Sequence, residues 1–135
     1  MNNAELIITL TLIKGLGRKT INKIIRQDVL NSLETSETID YLKNINLKIK
    51  GIITKDELKY ANEVAKRTIE ICDKEDIKIS TLLDEDFPQK LKNIDDNPVI
   101  IYSKGDYNNL NDKGVAIIGS RNPSFHGVNV SYKIS

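Results

Sequence analysis

The segment Gly119-Ser120-Arg121, followed by Ser124, combines residue types that can hold a negatively charged group. Glycine lets the backbone turn sharply and leaves its surroundings uncrowded. The following N–H groups can then point at a phosphate, helped by the start of a helix. The serine hydroxyls are donors, and the guanidinium of Arg121 matches a pair of phosphate oxygens. The residues predict an anion site, with a tight strand-to-helix turn carrying a surface arginine as an equally supported alternative.

The spacing of this segment differs from that of two common phosphate motifs. GSRxxS is not the GxGxxG of dinucleotide-binding proteins, and it lacks the lysine and preceding glycines of a Walker motif. The pattern therefore indicates an anion without identifying its kind.

A second glycine turn, Gly15-Leu16-Gly17, lies in residues 14–26, which contain five basic residues and no acid. Residues 13–20 resemble the hairpin of a helix-hairpin-helix element, in which glycines expose backbone N–H groups to a phosphate. Leu16 is predicted to tuck inward between the helices. The candidates for a second DNA contact are Gly15, Gly17, Arg18 and Lys19. A helix–helix turn with solvated lysines is common, so a structural or protein-binding role is the alternative, and we favour it.

Other reactive side chains lack the partners that chemistry needs. His126 has no positioned nucleophile or second base in view. Cys72 falls on the apolar face of a predicted helix, as a small core residue does. Residues 84–86 are acidic but lack the spacing of a calcium loop, so we expect a solvated turn. One His and one Cys form no metal-ligand set. No catalytic residue, metal or cofactor is expected.

The elements that must position these residues follow from hydrophobic periodicity. Helices are predicted at 4–13, 18–26, 36–44 and 54–73, the last opened by a capping box of Thr54 and Glu57. Strands are predicted at 76–80, 99–102 and 115–118, with a short helix starting at Phe87-Pro88. The apolar run 115–118 is typical of a strand buried on both faces of a parallel sheet, which places the anion site at its carboxyl end.

The bulk composition fits a folded protein: 135 residues, 39% hydrophobic and 29% charged, with a net charge of +1. The N-terminal apolar run is too short to span a membrane, and it lacks a basic n-region and a cleavage site. A single Cys fits a reducing compartment. We expect a cytoplasmic protein.

Several linked motifs resemble the DprA/Smf family of DNA-processing proteins. They are Phe87-Pro88-Gln89-Lys90-Leu91, Asn97-Pro98-Val99-Ile100-Ile101-Tyr102, Lys104-Gly105-Asp106, Val115-Ala116-Ile117-Ile118-Gly119-Ser120-Arg121, then Ser124 and Gly127. The match covers residues 87–127 in the family's order. The sequence departs from the family pattern at three places. Phe87 replaces the usual Tyr, and Asn97 replaces a common Pro. Phe125-His126 occupies the position near the usual Tyr that precedes Gly127.

The resemblance implies a fold and a role. It predicts an α+β or α/β chain: a helical sterile-alpha-motif-like or helix-hairpin-helix domain at 1–75, and the beginning of a Rossmann-like parallel domain at 76–135. It implies binding of single-stranded DNA in natural transformation, protection of that DNA, loading of the recombinase RecA, homodimers of the complete protein and no catalysed reaction. The residues carried over are Gly119, Ser120, Arg121, Ser124 and, beside a base, Phe125.

Two other functions stay open. Related Rossmann-like folds include nucleotide-binding proteins and phosphoribohydrolase-like enzymes, whose sites also cradle a phosphate. Alternatively, the helical region at 1–75 binds a protein partner and the remainder is inert.

Overall fold

A computed structural model describes residues 2–25, 54–114 and 117–134 of the chain. The elements in these ranges are, in chain order, α1 (Asn3–Leu12), α2 (Arg18–Ile25), α3 (Lys55–Lys74), β1 (Ile77–Thr81), α4 (Gln89–Lys92), β2 (Ile100–Lys104), a 3-10 helix (Tyr107–Asn111) and α5 (Phe125–Ile134). The helix predicted at 36–44, residue Arg26 and the first half of the strand predicted at 115–118 lie outside the described residues.

Two helix starts are capped as their sequences require. The Thr54 hydroxyl accepts a hydrogen bond from the Glu57 N–H at 3.1 Å, which confirms the predicted start of α3. The Asn2 side chain accepts from the Glu5 N–H at 2.7 Å at the start of α1. Residues 6–10 of α1 are all buried because this helix contacts α2, α3 and both strands. The helix therefore runs through the middle of the core.

The two strands pair antiparallel, with Ile77 opposite Lys104 and Thr81 opposite Ile100. Strands at these places were predicted, but the described pair is not the parallel arrangement expected of them. A parallel connection needs a crossover long enough to return the chain to the same end of the sheet, usually through a helix. Here residues 82–99 contain only the one-turn helix α4, and the chain returns directly. Within the described residues the fold is therefore α+β, and a Rossmann-like sheet stays a prediction.

One apolar cluster joins the helices to the strand pair. Its buried members are Leu6, Ile7, Leu10, Ile13, Leu16, Ile21, Ile24, Ile25, Leu58, Ala61 and Val99, with Leu82, Leu83 and Ile100 packed against it. The cluster lies on both sides of the domain boundary predicted at residues 75 and 76. The division into two domains remains a prediction, and these side chains share one core across it.

The prediction of a buried strand at 115–118 is wrong for its described half. Residues 117 and 118 have no strand conformation, and the Ile118 side chain is 93% exposed. A strand buried on both faces needs ladder partners and covering layers. The described sheet contains only β1 and β2 and supplies neither to this segment.

In the part of the chain that the structure describes, no helix combines the length and the apolar character that crossing a membrane requires.

Candidate nucleic-acid interface

The residues predicted to bind phosphate lie in the irregular segment 117–124 and at the start of α5. Gly119, Ser120, Arg121, Ser124 and Phe125 are all exposed. The structure therefore places the whole predicted group at the surface, in consecutive positions of one segment. Because residues 117–118 form no strand, this segment is not presented by a sheet edge in the described residues.

Arg121 makes no ion pair or hydrogen bond with the described residues, and its side chain is exposed. An arginine held in an internal ion pair has its donors directed at the protein, whereas this guanidinium keeps them for solvent or a ligand. Arg121 can therefore present the planar fork that the sequence analysis assigned to it.

Ser124 has a structural role that its motif position did not predict. Its hydroxyl oxygen accepts from the Gly127 N–H at 3.2 Å, and its carbonyl accepts from the Val128 N–H at 3.0 Å. It is thus the N-cap of α5. Its hydroxyl hydrogen can still be donated, so a contact with an anion is compatible with the cap.

The Ser124 cap satisfies the Gly127 N–H but leaves other backbone N–H groups at the start of α5 without an acceptor. The backbone N–H groups of Phe125 and His126 have no acceptor among the described residues. Unpaired N–H groups at a helix start carry partial positive charge. These N–H groups therefore favour negative charge at the start of α5, four residues along the chain from Arg121.

A cleft of about 370 Å³ borders this segment. It is lined by Ile117, Gly119, Ser120, Pro123, Val128, Ser131 and Tyr132. Sequence reasoning missed the last three, although positions 124, 128, 131 and 132 share one face of a helix and the spacing alone gives the signal. Arg121 and Phe125 do not line the cleft. The Phe125 ring, 84% exposed, is instead directed away from the described core.

The predicted second contact lies in the turn between α1 and α2. Gly15 has φ +92°, a backbone conformation that favours glycine. Leu16 is buried in the core, which confirms its predicted inward position. The Gly17 carbonyl accepts from the Thr20 and Ile21 N–H groups at 2.9 and 3.0 Å. The turn therefore has a clear structural role in joining the two helices.

The charges at this turn are not all free. Arg18 donates two hydrogen bonds to the Asp96 carboxylate: from Nε to Oδ1 at 3.0 Å, and from Nη2 to Oδ2. This bond with Arg18, opposed by a small effect of burial, lowers the pKa of Asp96. Lys19 is exposed. The structure thus separates the two predicted cations, because Arg18 is paired with Asp96 whereas Lys19 forms no ion pair with the described residues.

The described residues contain no group of three or more His, Cys, Asp or Glu side chains placed to hold a metal ion. Cys72 is buried, as its position on the apolar face of α3 predicted.

Residues 78–135 match the family model of DNA recombination-mediator protein A. The matched range contains segment 117–124 and α5, whereas the α1–α2 turn lies outside it. No curated protein and no solved structure matches the chain.

Proposed function

We propose, from the match of residues 78–135 to the family model of DNA recombination-mediator protein A, that this chain belongs to that family and binds single-stranded DNA through the phosphate backbone. The family description concerns DNA recombination, and the resemblance predicted from the motifs is confirmed. Single-strand binding and the residues that perform it are what we propose.

The observation that carries this proposal is the state of Arg121. Its guanidinium is exposed and has no partner among the described residues, and it lies four residues before two helix-start N–H groups that also lack an acceptor. A phosphodiester offers two oxygens in the geometry of a guanidinium fork. Gly119 and Ser120 leave the backbone beside Arg121 uncrowded, with nothing within 4 Å of a Cβ at Gly119. A DNA backbone can therefore approach closely.

The exposed ring of Phe125 offers a surface on which a base can stack, a contact that tolerates any sequence. The adjoining cleft offers a second kind of contact, because its lining combines apolar side chains with Ser120 and Ser131. The Ser131 hydroxyl donates to the Gly127 carbonyl at 2.9 Å and can still accept a hydrogen bond. Backbone contacts and stacking together predict binding with little sequence preference.

The further roles proposed here follow from family membership. The chain acts in DNA-mediated transformation without catalysing a reaction, protects incoming DNA, and loads RecA on it. The complete protein acts as a homodimer.

The test is fluorescence anisotropy with a labelled oligothymidine over a range of salt concentrations. We expect Arg121→Ala to weaken binding about tenfold, the size of a charge-assisted hydrogen bond. The slope of log K against log salt should become shallower by about 0.7, because one phosphate contact on a single strand is lost. Arg67→Ala is the matched control, since Arg67 is an exposed arginine on α3. It should change neither quantity.

Equal affinities of the Arg121 and Arg67 variants would refute the proposed site. Incubation with nucleoside monophosphates tests the alternative class of function in parallel. Release of free base by the wild-type chain would support a phosphoribohydrolase-like enzyme in place of a DNA-binding protein.

A further inference from the structure

The cations of the α1–α2 turn face an acidic turn of the same chain. We name Lys14, Arg18, Lys19 and Lys23 the basic hairpin, and residues 95–96 the acidic turn. Arg18 binds Asp96 with two donors, through Nε at 3.0 Å and through its second nitrogen. We propose that the acidic turn is an internal competitor: its Asp96 carboxylate occupies Arg18 and thereby weakens the contact that Arg18 can make with a nucleic-acid phosphate.

The acidic turn is held in place by a buried contact beside the ion pair. The Asn22 side chain, 8% exposed, donates from Nδ2 to the carbonyl of Asn97 at 3.1 Å, and Asn97 is itself buried. Because this hydrogen bond is buried and spans distant parts of the sequence, it fixes the turn over α2. The pairing of Asp96 with Arg18 is therefore a consequence of the fold and not a chance meeting of two mobile side chains.

The basic hairpin and the acidic turn also meet at a second place. A cleft of about 320 Å³ is lined by Lys19, Asn22 and Lys23 of α2 and by Asp95 and Asn97. Asp96 thus pairs with one cation of the hairpin, and Asp95 borders the same cleft as two others. The positive potential that the sequence predicted for residues 14–26 is partly cancelled by the fold.

The ion pair has the properties of a replaceable contact. Its side chains are 50% and 47% exposed, so solvent and a ligand can reach them. Exposed pairs of this kind contribute little to stability and are screened by salt. A phosphodiester presents the same two-oxygen geometry to the guanidinium as a carboxylate does. Binding to a polyanion also releases condensed counterions, which an internal carboxylate cannot do. Arg18 can therefore contact a phosphate once the Asp96 carboxylate is removed.

This inference rests on the proposed binding of single-stranded DNA, but it concerns different residues. The test uses the full chain and the same oligothymidine anisotropy. Asp96→Asn removes the competitor with little change in shape, and we expect affinity to rise about two- to fivefold, the effect of one exposed ion pair. The salt dependence should steepen by about 0.7, since one more phosphate is contacted. Asp73→Asn, the same change at an exposed residue in the last turn of α3, is the control and should alter neither.

Arg18→Gln gives the decisive comparison. In the wild-type background Arg18 is occupied, so we expect the substitution to change affinity less than twofold. In the Asp96→Asn background the same substitution should abolish the whole gain. Such non-additivity is the signature of two residues that act through one contact.

The inference is overturned if Asp96→Asn and Asp73→Asn behave alike, or if Arg18→Gln weakens binding equally in both backgrounds. Arg121→Ala separates this failure from that of the proposed site. If Arg121→Ala weakens binding but Asp96→Asn has no effect, only the competitor is refuted. If Asp96→Asn strengthens binding but Arg121→Ala has no effect, only the site at Arg121 is refuted. Absence of binding by every variant refutes both.

Discussion

Asp84 connects the first helix to the strand pair, and its removal should be the most damaging single change in the acidic segment 84–86. Its Oδ1 accepts from the Asn3 side chain at 2.8 Å. Its Oδ2 accepts from the N–H of Thr81 at 2.7 Å and from the Thr81 hydroxyl at 2.9 Å. Three donors from two elements thus converge on one carboxylate.

Asp84→Ala leaves the Thr81 donors without that acceptor at a residue that is 0% exposed. A buried donor without a partner costs about 1–3 kcal/mol, and hydrogen bonds to charged groups are the stronger kind. Since these contributions overlap, we expect a loss of about 2–4 kcal/mol in the free energy of unfolding. For a chain of this size the melting temperature should fall by about 10 °C.

The measurement is urea and thermal unfolding followed by circular dichroism at 222 nm. Glu85→Ala is the matched control, because Glu85 is the neighbouring acid and is exposed. It should change the free energy of unfolding by less than about 0.5 kcal/mol. Asn3→Ala should lose about 1 kcal/mol, since only one of the three donors is removed. If the Asp84 and Glu85 variants are equally stable, the assignment of this carboxylate as a structural connection is refuted.

Three further predictions concern the helices and the ion pair. Thr54→Ala should cost about 1 kcal/mol by removing the cap of α3, as measured by urea unfolding, whereas Thr54→Ser should retain most of the stability. Leu16→Ala should cost about 2–4 kcal/mol because Leu16 is buried in the core between α1 and α2; a smaller loss than that of Thr54→Ala would contradict this position. Arg18→Gln should return the pKa of Asp96 toward its ordinary value of 3.8, since the bond to Arg18 is the largest cause of its lowering. The pair's contribution to stability is therefore present above pH 3.8 and is lost as the pH falls through the lowered pKa of the folded state. The test is an NMR titration of the Asp96 carboxyl in the wild type and in Arg18→Gln. Identical titration midpoints in the two proteins would refute the prediction.

The two DNA surfaces proposed here differ in how the fold treats their arginines. Arg121 has no partner in the described residues. Arg18, in contrast, is paired with the Asp96 carboxylate, which the fold places beside it. The same residue type in a similar glycine-containing segment therefore has two different states. A prediction of binding from basic residues alone treats both as equal, and the variants proposed above distinguish them.

Local chemistry in the sequence was enough to predict several features. The cap and apolar face of α3 follow from Thr54 and helical spacing, and the inward position of Leu16 follows from the glycines around it. The resemblance to the family was recognisable because its motifs occur in a fixed order within residues 87–127, and the family model matches residues 78–135. These features depend on neighbours close in sequence, and such neighbours are visible in a single chain.

Only the tertiary structure decided which distant groups meet. The antiparallel pairing of β1 with β2, the exposure of Ile118 and the grip of Arg18 on Asp96 all depend on how the chain returns on itself. An apolar run predicts burial only if a partner surface exists, and a cation predicts a free charge only if no carboxylate is brought beside it. Sequence determines the residue types and local conformations, but the contacts between residues 78 positions apart arise from packing around the shared core.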